Sequence, residues 1–394
     1  MNNNTPAPMH LRRQKRGLFE RRPQRRRKYS RRPSRPPSHR GGKVGIGTIA
    51  LRILAMLGTL VLAVALTLVI SLKMICSDIS PAAKDTFVTT LLETGQLKFL
   101  ANMFVPSDEI QEIVDRNTMK ELDDDVDNSL INIGGGGEVS GGEDSGEQAD
   151  IEVVEISGRT FYGTLLIVKD PSRVSLASIY PWADQGVTLD RLVTDAGAVA
   201  GINGGLYNSG NNSGGRPYGI VVADGEIQLN EPQSFPGLVL IGFDEDNILQ
   251  IIDVDGMTAA QTKALIEEKR IRDAVTFQEE ASDKNNHFVK LVINGNAREL
   301  NGAGSGLNPR TAIGQRADGS VLMLVTDGRG KSGHLGASAS DLISVMTEYG
   351  AVNAANLDGG SSSCMYYGDE YLMTSVTFYY SNNSWRMPVA FVVK

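Results

Sequence analysis

Residues 53–72 form a run of 20 residues without a charged side chain, flanked by Arg52 and Lys73. At about 1.5 Å per residue, a helix of this length reaches roughly 30 Å, which is the thickness of a bilayer core. The alternative is a buried helix of a soluble protein, although so long and apolar a run is seldom one. The sequence therefore predicts a single-pass membrane anchor that divides the chain into two parts.

The two parts carry opposite charge. Residues 1–43 contain 15 Lys and Arg residues and a single acid, Glu20, whereas the chain from Met74 onward contains 22 basic and 45 acidic residues. Because basic residues flank membrane spans on the cytoplasmic side, we expect the N-terminus in the cytoplasm and the C-terminal part outside the cell membrane. A cleaved signal peptide is disfavoured, since the apolar run exceeds a typical signal and no small-residue cleavage site follows it closely.

The basic arm contains Arg25-Arg26-Arg27-Lys28 and several prolines, a composition that cannot bury a core. Beside a membrane, such an arm favours anionic lipid headgroups as its partner over nucleic acid. The two cysteines, Cys76 and Cys364, do not form a disulfide framework, and a buried structural thiol is the preferred interpretation of Cys364. Nothing in the sequence indicates the oligomeric state.

Composition divides the chain further. We expect a disordered cytoplasmic arm over residues 1–48, the anchor over 49–73, a helical stalk over 74–133, and a glycine-rich acidic linker over 134–150. From residue 151 the chain reads as strands with a few helices, including one over 258–273 and one over 338–349. The expected fold class of residues 151–394 is α+β, a strand-rich mixed sheet with a few packed helices.

Residues 356–363 read Asn-Leu-Asp-Gly-Gly-Ser-Ser-Ser, so that Asp358 leaves an apolar run and meets two glycines and three hydroxyls. Glycines expose backbone amides to a ligand, and a carboxylate beside such a loop suits chemistry on an anionic substrate. A tight turn between two strands is the simpler interpretation of this motif taken alone.

Two further clusters favour a functional site. One follows the apolar run at 198–202 and begins with Asn203-Gly204-Gly205, and the other contains Asn308-Pro309-Arg310-Thr311 and leads to Asp327. In each cluster a segment typical of a strand delivers polar side chains to a glycine-rich corner. Several strand ends that place Asn, Arg and Asp at one edge of a sheet predict an active site.

Together these motifs resemble the phosphodiester glycosidase family. The matching segments are I-N-G-G-L-Y at 202–207, G-I-V-V-A-D-G-E-I at 219–227, N-P-R-T-A-I-G at 308–314, L-V-T-D-G-R at 324–329, G-A-S at 336–338 and N-L-D-G-G-S-S at 356–362. The family includes the N-acetylglucosamine-1-phosphodiester glycosidase that uncovers mannose 6-phosphate and bacterial proteins of exopolysaccharide biosynthesis. The resemblance covers residues 151–394 and implies a hydrolase that cleaves a sugar-1-phosphodiester at its glycosidic bond.

The resemblance directs attention to three candidate catalytic residues, Asp358, Asp327 and Arg310. The carboxylates are candidates for base, nucleophile or charge stabiliser, and the planar fork of Arg310 suits a phosphate group. Turn capping by either aspartate and a structural salt bridge of Arg310 are the alternatives. The candidate substrate-binding residues are Asn203, Gly204, Gly205, Thr311, Gly359, Gly360, Ser361 and Ser362.

His334 is a further candidate acid or base, with a solvated loop histidine as the simpler interpretation. No cofactor is expected to be required. Oxygen ligands from Asp327, Asp358 and Asn203 suit a Ca²⁺ ion, but no spaced calcium-binding loop is present, and the metal stays an open alternative.

The sequence thus favours a membrane-anchored, extracytoplasmic hydrolase acting on an anionic glycan or sugar phosphate of the cell wall or exopolysaccharide. A non-catalytic protein that binds anionic glycan during polysaccharide assembly is the first alternative. A structural envelope protein is the second.

Overall fold

The computed structural model describes residues 45–94, 97–122, 124–133, 150–279, 287–377 and 383–394. Residues 1–44 of the predicted disordered arm and residues 134–149 of the predicted linker lie outside these ranges, whereas residues 46–48 of the arm belong to the first helix. Residues 64–394 form one compact unit, and the first part of the first helix belongs to a separate one.

The described chain contains seven α-helices, and the last of them agrees closely with the helix predicted over residues 338–349. They are α1 (Ile46–Ile75), α2 (Pro81–Glu93), α3 (Lys98–Phe104), α4 (Ser107–Asp115), α5 (Leu189–Asp195), α6 (Ala259–Glu268) and α7 (Ala339–Glu348). Ser80 caps α2 and is followed by Pro81 at the first helical position, where the missing N–H costs nothing. Ser338 and Asp341 form a capping box at the start of α7.

Within the described ranges, α1 alone is long and apolar enough to cross a membrane. Its 30 residues include the predicted anchor, and none of them is buried. Exposed apolar side chains along a whole helix are what a lipid-facing segment requires, so α1 is consistent with a single-pass anchor.

Three sheets make up most of the compact unit. Their strands are β1 (Ile151–Ser157), β2 (Tyr162–Val168), β3 (Val174–Ser178), β4 (Ala200–Asn203), β5 (Ile220–Ala223), β6 (Glu226–Asn230), β7 (Leu238–Asp244), β8 (Leu249–Asp253), β9 (Ile271–Gln278), β10 (Lys290–Ile293), β11 (Asn296–Ala297), β12 (Thr311–Arg316), β13 (Val321–Thr326), β14 (Ala351–Asn356), β15 (Met365–Tyr367), β16 (Glu370–Met373) and β17 (Val389–Val393). The strand orders are β1-β2-β13-β12-β14-β10-β11, β16-β15-β4-β17-β3 and β6-β5-β9-β7-β8. The α+β class is confirmed, and the strand pairs of all three sheets are antiparallel.

One apolar core joins the three sheets. It includes Leu166 of β2, Ile202 of β4, Ile241 of β7, Ile313 of β12 and Phe391 of β17. α7 covers the opposite face of the seven-stranded sheet, α5 covers the second sheet and α6 covers the third. The inner strands β2 and β13 of the seven-stranded sheet are therefore buried on both faces, which explains why they read as nearly continuous apolar runs, whereas the edge strands β1 and β11 are largely exposed.

The prediction of one helix over residues 258–273 was too long. α6 ends at Glu268, and β9 begins at Ile271 after Arg270 adopts a positive φ of 54°. Ile271, Val275 and Thr276 follow this turn, and these β-branched residues pair with β7, so sheet formation overrides the helical pattern.

The segment predicted as a stalk packs on itself and against the sheets. Val88, Val105, Ile110 and Ile113 form a small core among α2, α3 and α4. Downstream, Met119 pairs with Leu300 in an isolated bridge. The stalk is thus part of the same compact unit as the sheets.

Candidate active site

The topology of the seven-stranded sheet brings three candidate residues to one edge. Arg310 immediately precedes β12, Asp327 immediately follows β13, and Asp358 follows β14 by two residues. Because β12 pairs antiparallel with both neighbours, its start lies beside their ends, as in the pairing of Thr311 with Val325. The motifs that contain Arg310, Asp327 and Asp358 are separated in sequence, but antiparallel pairing brings them to the same edge of the sheet.

Asp358 lies at the wall of a cavity and is partly exposed to it. Burial raises the pKa of its carboxyl to about 6, although hydrogen bonds from the Ser362 hydroxyl and the Gly359 amide and the positive charge of Arg329 oppose the shift. The phenol of Tyr207 lies 2.8 Å from the Ser362 hydroxyl. At pH 7 this carboxyl is mostly ionised but is a much better proton acceptor than an ordinary aspartate.

Asn203, at the end of β4 in the second sheet, forms hydrogen bonds to residues at the edge of the seven-stranded sheet. It is 1% exposed, and its amide donates to the Asp358 carbonyl at 2.6 Å. Its side-chain oxygen accepts from the Thr311 hydroxyl at 2.7 Å and from the Cys364 amide at 3.2 Å. Asn203 and Thr311 therefore fix the backbone that carries Asp358.

The cavity beside Asp358 has a volume of about 450 Å³. Its walls come from α2, from the loops around β4, β12, β13 and β14, and from the start of the segment that precedes β10. The lining residues are Glu93, Thr94, Leu97, Leu206, Tyr207, Ser209, Phe277, His287, Phe288, Asn308, Arg310, Arg329, Asn356, Asp358, Gly359, Gly360, Ser361, Ser362, Thr377 and Trp385. A mixed apolar and hydrogen-bonding lining of this size accommodates a sugar ring with a charged substituent.

Arg310 is paired within the protein. Its Nη2 donates to Glu93 at the end of α2 and to the Gly306 carbonyl at 2.9 Å, and its guanidinium lies 4.9 Å from the centre of the Phe288 ring. The Glu93 carboxylate also accepts from the Gly306 amide at 2.5 Å and from Asn308 at 3.1 Å. A residue of the stalk thus holds the loop that carries Arg310.

Arg329 is the second guanidinium at the cavity. Its Nη1 donates to the Ser361 hydroxyl at 2.7 Å and to the Val376 carbonyl at 3.3 Å, and its Nε donates to Asn308 at 3.4 Å. Burial lowers the pKa of Arg329 to about 10, so the guanidinium keeps its charge at neutral pH.

Asp327 and His334 contact each other outside the lining of the cavity. Asp327 is 5% exposed, and its carboxylate accepts from the Tyr162 amide at 2.8 Å and contacts His334 Nδ1 at 2.6 Å. Neither residue is among those that line the cavity. Their geometry suits a buried aspartate that orients a histidine on a loop.

The two glycine pairs proposed from sequence, Gly204-Gly205 and Gly359-Gly360, have different surroundings. A Cβ at Gly205 would lie 2.4 Å from the Thr276 carbonyl oxygen, so this glycine permits close approach of β9. Gly204 and Gly205 are buried, whereas Gly359 and Gly360 line the cavity. The Gly360 amide donates to the Pro309 carbonyl at 2.8 Å, so this amide already has a partner within the protein.

The sequence of the second half of the chain decides the family. Residues 196–394 match the profile of phosphodiester glycosidases. The chain belongs to the phosphodiester glycosidase family. The matched region contains the 202–207, 308–314, 324–329 and 356–362 motifs, so the predicted family is confirmed.

Individual relatives are distant or match over a short segment. The SPbeta prophage-derived uncharacterized protein YomE of Bacillus subtilis (strain 168) is 45% identical over 56 residues, which are 14% of this chain and 8% of that protein. The zebrafish N-acetylglucosamine-1-phosphodiester alpha-N-acetylglucosaminidase catalytic domain, auto-inhibited by its pro-peptide, superposes with a TM-score of 0.48 at 15% identity over 63% of this chain and 84% of that one. A hypothetical protein from Synechocystis gives 0.41 at 18% identity over 62% and 61% of the two chains.

In this member of the family, the residues proposed from sequence fall into three groups. Asp358, Arg310, Gly359, Gly360, Ser361 and Ser362 line the cavity; Asn203, Gly204, Gly205 and Thr311 lie behind it; and Asp327 and His334 form their own pair.

The sequence argument missed Glu93 and gave no role to Arg329. Arg329 stood at the end of the quoted L-V-T-D-G-R motif, where a basic residue beside a glycine was a usable signal. Glu93 lies in the stalk, and nothing in its sequence neighbourhood marks it as a residue of the cavity.

The calcium alternative depended on Asp327, Asp358 and Asn203. Within the described residues, no group of three or more His, Cys, Asp or Glu side chains is arranged to hold a metal ion. The Asp327 and Asn203 side chains are bonded to protein groups, as described above, and calcium stays an open alternative that the assay below tests.

Proposed function

We propose that this protein hydrolyses the glycosidic bond of a sugar-1-phosphodiester. Water adds to the anomeric carbon, the bond from that carbon to the bridging oxygen breaks, and the phosphate leaves as a monoester. The observation that supports this most is the carboxylate of Asp358 in a sugar-sized cavity that also contains two guanidinium groups, within a domain of the phosphodiester glycosidase family.

Asp358 is the proposed catalytic carboxylate. Phosphate is already a good leaving group, so the reaction depends less on a strong general acid than ordinary glycoside hydrolysis does. A carboxylate can stabilise the developing positive charge at the sugar, or it can activate water or attack the anomeric carbon. Asp327, paired with His334, is the second candidate carboxylate.

The test is incubation of the full-length protein in detergent with a panel of sugar-1-phosphodiesters, followed by identification of the free sugar and the phosphomonoester. The full chain is needed, because a fragment of residues 151–394 lacks Glu93, which holds the Arg310 loop. Parallel reactions with added Ca²⁺ and with a chelator measure metal dependence. If the protein binds an anionic glycan saturably but cleaves no phosphodiester of the panel, the result would favour the glycan-binding alternative and contradict hydrolysis.

The cellular setting is part of the proposal. A membrane-anchored enzyme with its domain outside the cell meets glycopolymers of the cell wall or exopolysaccharide as its anionic substrates. The helix α1 and the basic residues on its N-terminal side support this orientation, in which the basic arm faces anionic lipid.

We expect protease added to intact, wall-permeabilised cells to cleave the chain within or near residues 134–150 and to produce an acidic C-terminal fragment. The glycine-rich acidic composition of that segment favours an extended, cleavable chain. Denaturing immunoblots with antibodies to each end of the protein measure the cleavage. Protection of the C-terminal domain in intact cells, together with its cleavage after lysis, would contradict the orientation.

A further inference from the structure

The two guanidinium groups at the cavity, those of Arg310 and Arg329, differ in whether a carboxylate neutralises them. Arg310 has a buried carboxylate partner, since the Arg310 and Glu93 side chains are 9% and 5% exposed. For Arg329, the described residues contain no carboxylate within ion-pair distance, and its hydrogen-bond acceptors are neutral hydroxyl, carbonyl and amide oxygens. The positive charge that is left for an anionic ligand is therefore that of Arg329.

The guanidinium of Arg329 is also held in place. A Cβ at Gly360 would lie 2.6 Å from Nη2, so the glycine leaves room for the guanidinium against the loop that follows Asp358. No described residue accepts a hydrogen bond from Nη2. Arg329 itself has a positive φ of 54°, an uncommon conformation outside glycine that is often associated with functional sites.

We propose that Arg329 binds the phosphate of the substrate, with the Ser361 hydroxyl beside it, and that Arg310 is a positioning residue neutralised by Glu93. This inference rests on the proposed function and names the group that recognises its leaving phosphate. A fixed guanidinium with donors to spare forms charge-assisted hydrogen bonds to phosphate oxygens without reorganisation. A guanidinium already paired with a buried carboxylate has its charge neutralised and attracts a phosphate less strongly.

Arg329 also acts on Asp358. Its charge lowers the pKa of that carboxyl against the effect of burial. The other charged or titratable groups at the same cavity are Glu93, Arg310, His287 and Tyr207. Glu93 and Arg310 pair with each other. Burial and the charge of Asp358 raise the pKa of Tyr207 well above its normal value. Loss of the Arg329 charge should therefore move the protonation of Asp358 to higher pH.

The experiment compares Arg329→Met, Arg329→Lys and Arg310→Lys with the unmodified full-length protein. Two measurements are the kcat and KM for the best phosphodiester of the panel and the dissociation constant of inorganic phosphate. For Arg329→Met we expect phosphate binding to weaken about 10- to 100-fold and kcat/KM to fall at least as much, the range for lost hydrogen bonds to a charged group. Arg329→Lys should recover part of both, and the acidic limb of the pH profile should shift upward in Arg329→Met only.

Arg316→Met is the matched control, because Arg316 is a partly buried arginine that donates to the Tyr349 carbonyl and does not line the cavity. It should leave phosphate binding and kcat/KM unchanged. Thermal melting of every variant separates loss of binding from loss of folding.

The outcomes separate the two proposals. If Arg329→Met binds phosphate like the unmodified protein, or if Arg310→Lys weakens phosphate binding more than Arg329→Met does, the inference is overturned while the proposed hydrolysis stands. If the unmodified protein cleaves no phosphodiester but binds phosphate through Arg329, the proposed hydrolysis fails and the anion site stands. If it neither cleaves a phosphodiester nor binds phosphate, both proposals are overturned.

Discussion

Asp358→Asn should lower kcat on a sugar-1-phosphodiester by roughly 10²–10⁴, the range typical of a catalytic acid–base group. The substitution preserves the size of the side chain and most of its turn hydrogen bonds, but it removes the charge at the cavity wall. Asn also fits tight turns as well as Asp does, so the fold should be retained. Steady-state kinetics and the melting temperature, measured on the same preparations, test both parts of this expectation.

The pH dependence gives a second measurement of the same prediction. Because the folded-state pKa of Asp358 is raised from 3.8 to about 6, the folded protein holds this proton more tightly than the unfolded chain does. Its contribution to the free energy of unfolding is therefore highest below pH 4 and is lost as the pH rises to about 6. Asp358→Asn should remove that decline, so its Tm should equal the parent value at pH 4 and exceed it above pH 6.

If the ionised carboxylate is the active form, parent activity should rise with pH with a midpoint near 6. Parent-like turnover of Asp358→Asn would remove Asp358 from the mechanism and leave Asp327 as the candidate carboxylate.

Glu93→Ala should destabilise the protein by about 3–5 kcal/mol, the cost of leaving one member of a buried ion pair without its partner. Glu93 joins α2 to Arg310, Asn308 and the Gly306 amide, so its loss leaves the guanidinium without its carboxylate partner and the Asn308 and Gly306 donors without their acceptor. Urea unfolding followed by tryptophan fluorescence measures the change in the free energy of unfolding. Hydrogen exchange of residues 306–310 should increase more than exchange elsewhere in the sheet.

Glu299→Ala is the control for this prediction. Glu299 also pairs with a basic residue, Lys120, but their side chains are 73% and 56% exposed. Exposed ion pairs contribute little, so we expect the free energy of unfolding to change far less than it does in Glu93→Ala. Equal effects of the two substitutions would show that the Glu93 pair is not a structural tie between the stalk and the site.

Most of the site could be predicted because its residues lie in short motifs at strand ends. Asp358 and Arg310 were identified from the sequence, and antiparallel pairing of β12 with β14 explains why they meet. Gly205 was proposed to bind substrate, yet it serves the packing of β9. A glycine in a loop and a glycine beneath a crossing strand look the same in sequence, because only the neighbouring chain distinguishes them.

Local sequence by itself determined the apolar helix α1, the strand-rich character of the chain from residue 151 and the glycine-rich loop after Asp358. Apolar length, hydrophobic periodicity and the conformational freedom of glycine depend on only a few neighbouring residues. The tertiary structure alone decided which charges remain open to a ligand. Glu93 is 217 residues from Arg310 in the chain, and its carboxylate neutralises that guanidinium only because α2 packs beside the start of β12. Arg329 keeps its charge for a ligand because its neighbours in the fold are neutral oxygens, and an electrostatic balance of this kind depends on distances in space and not on sequence order.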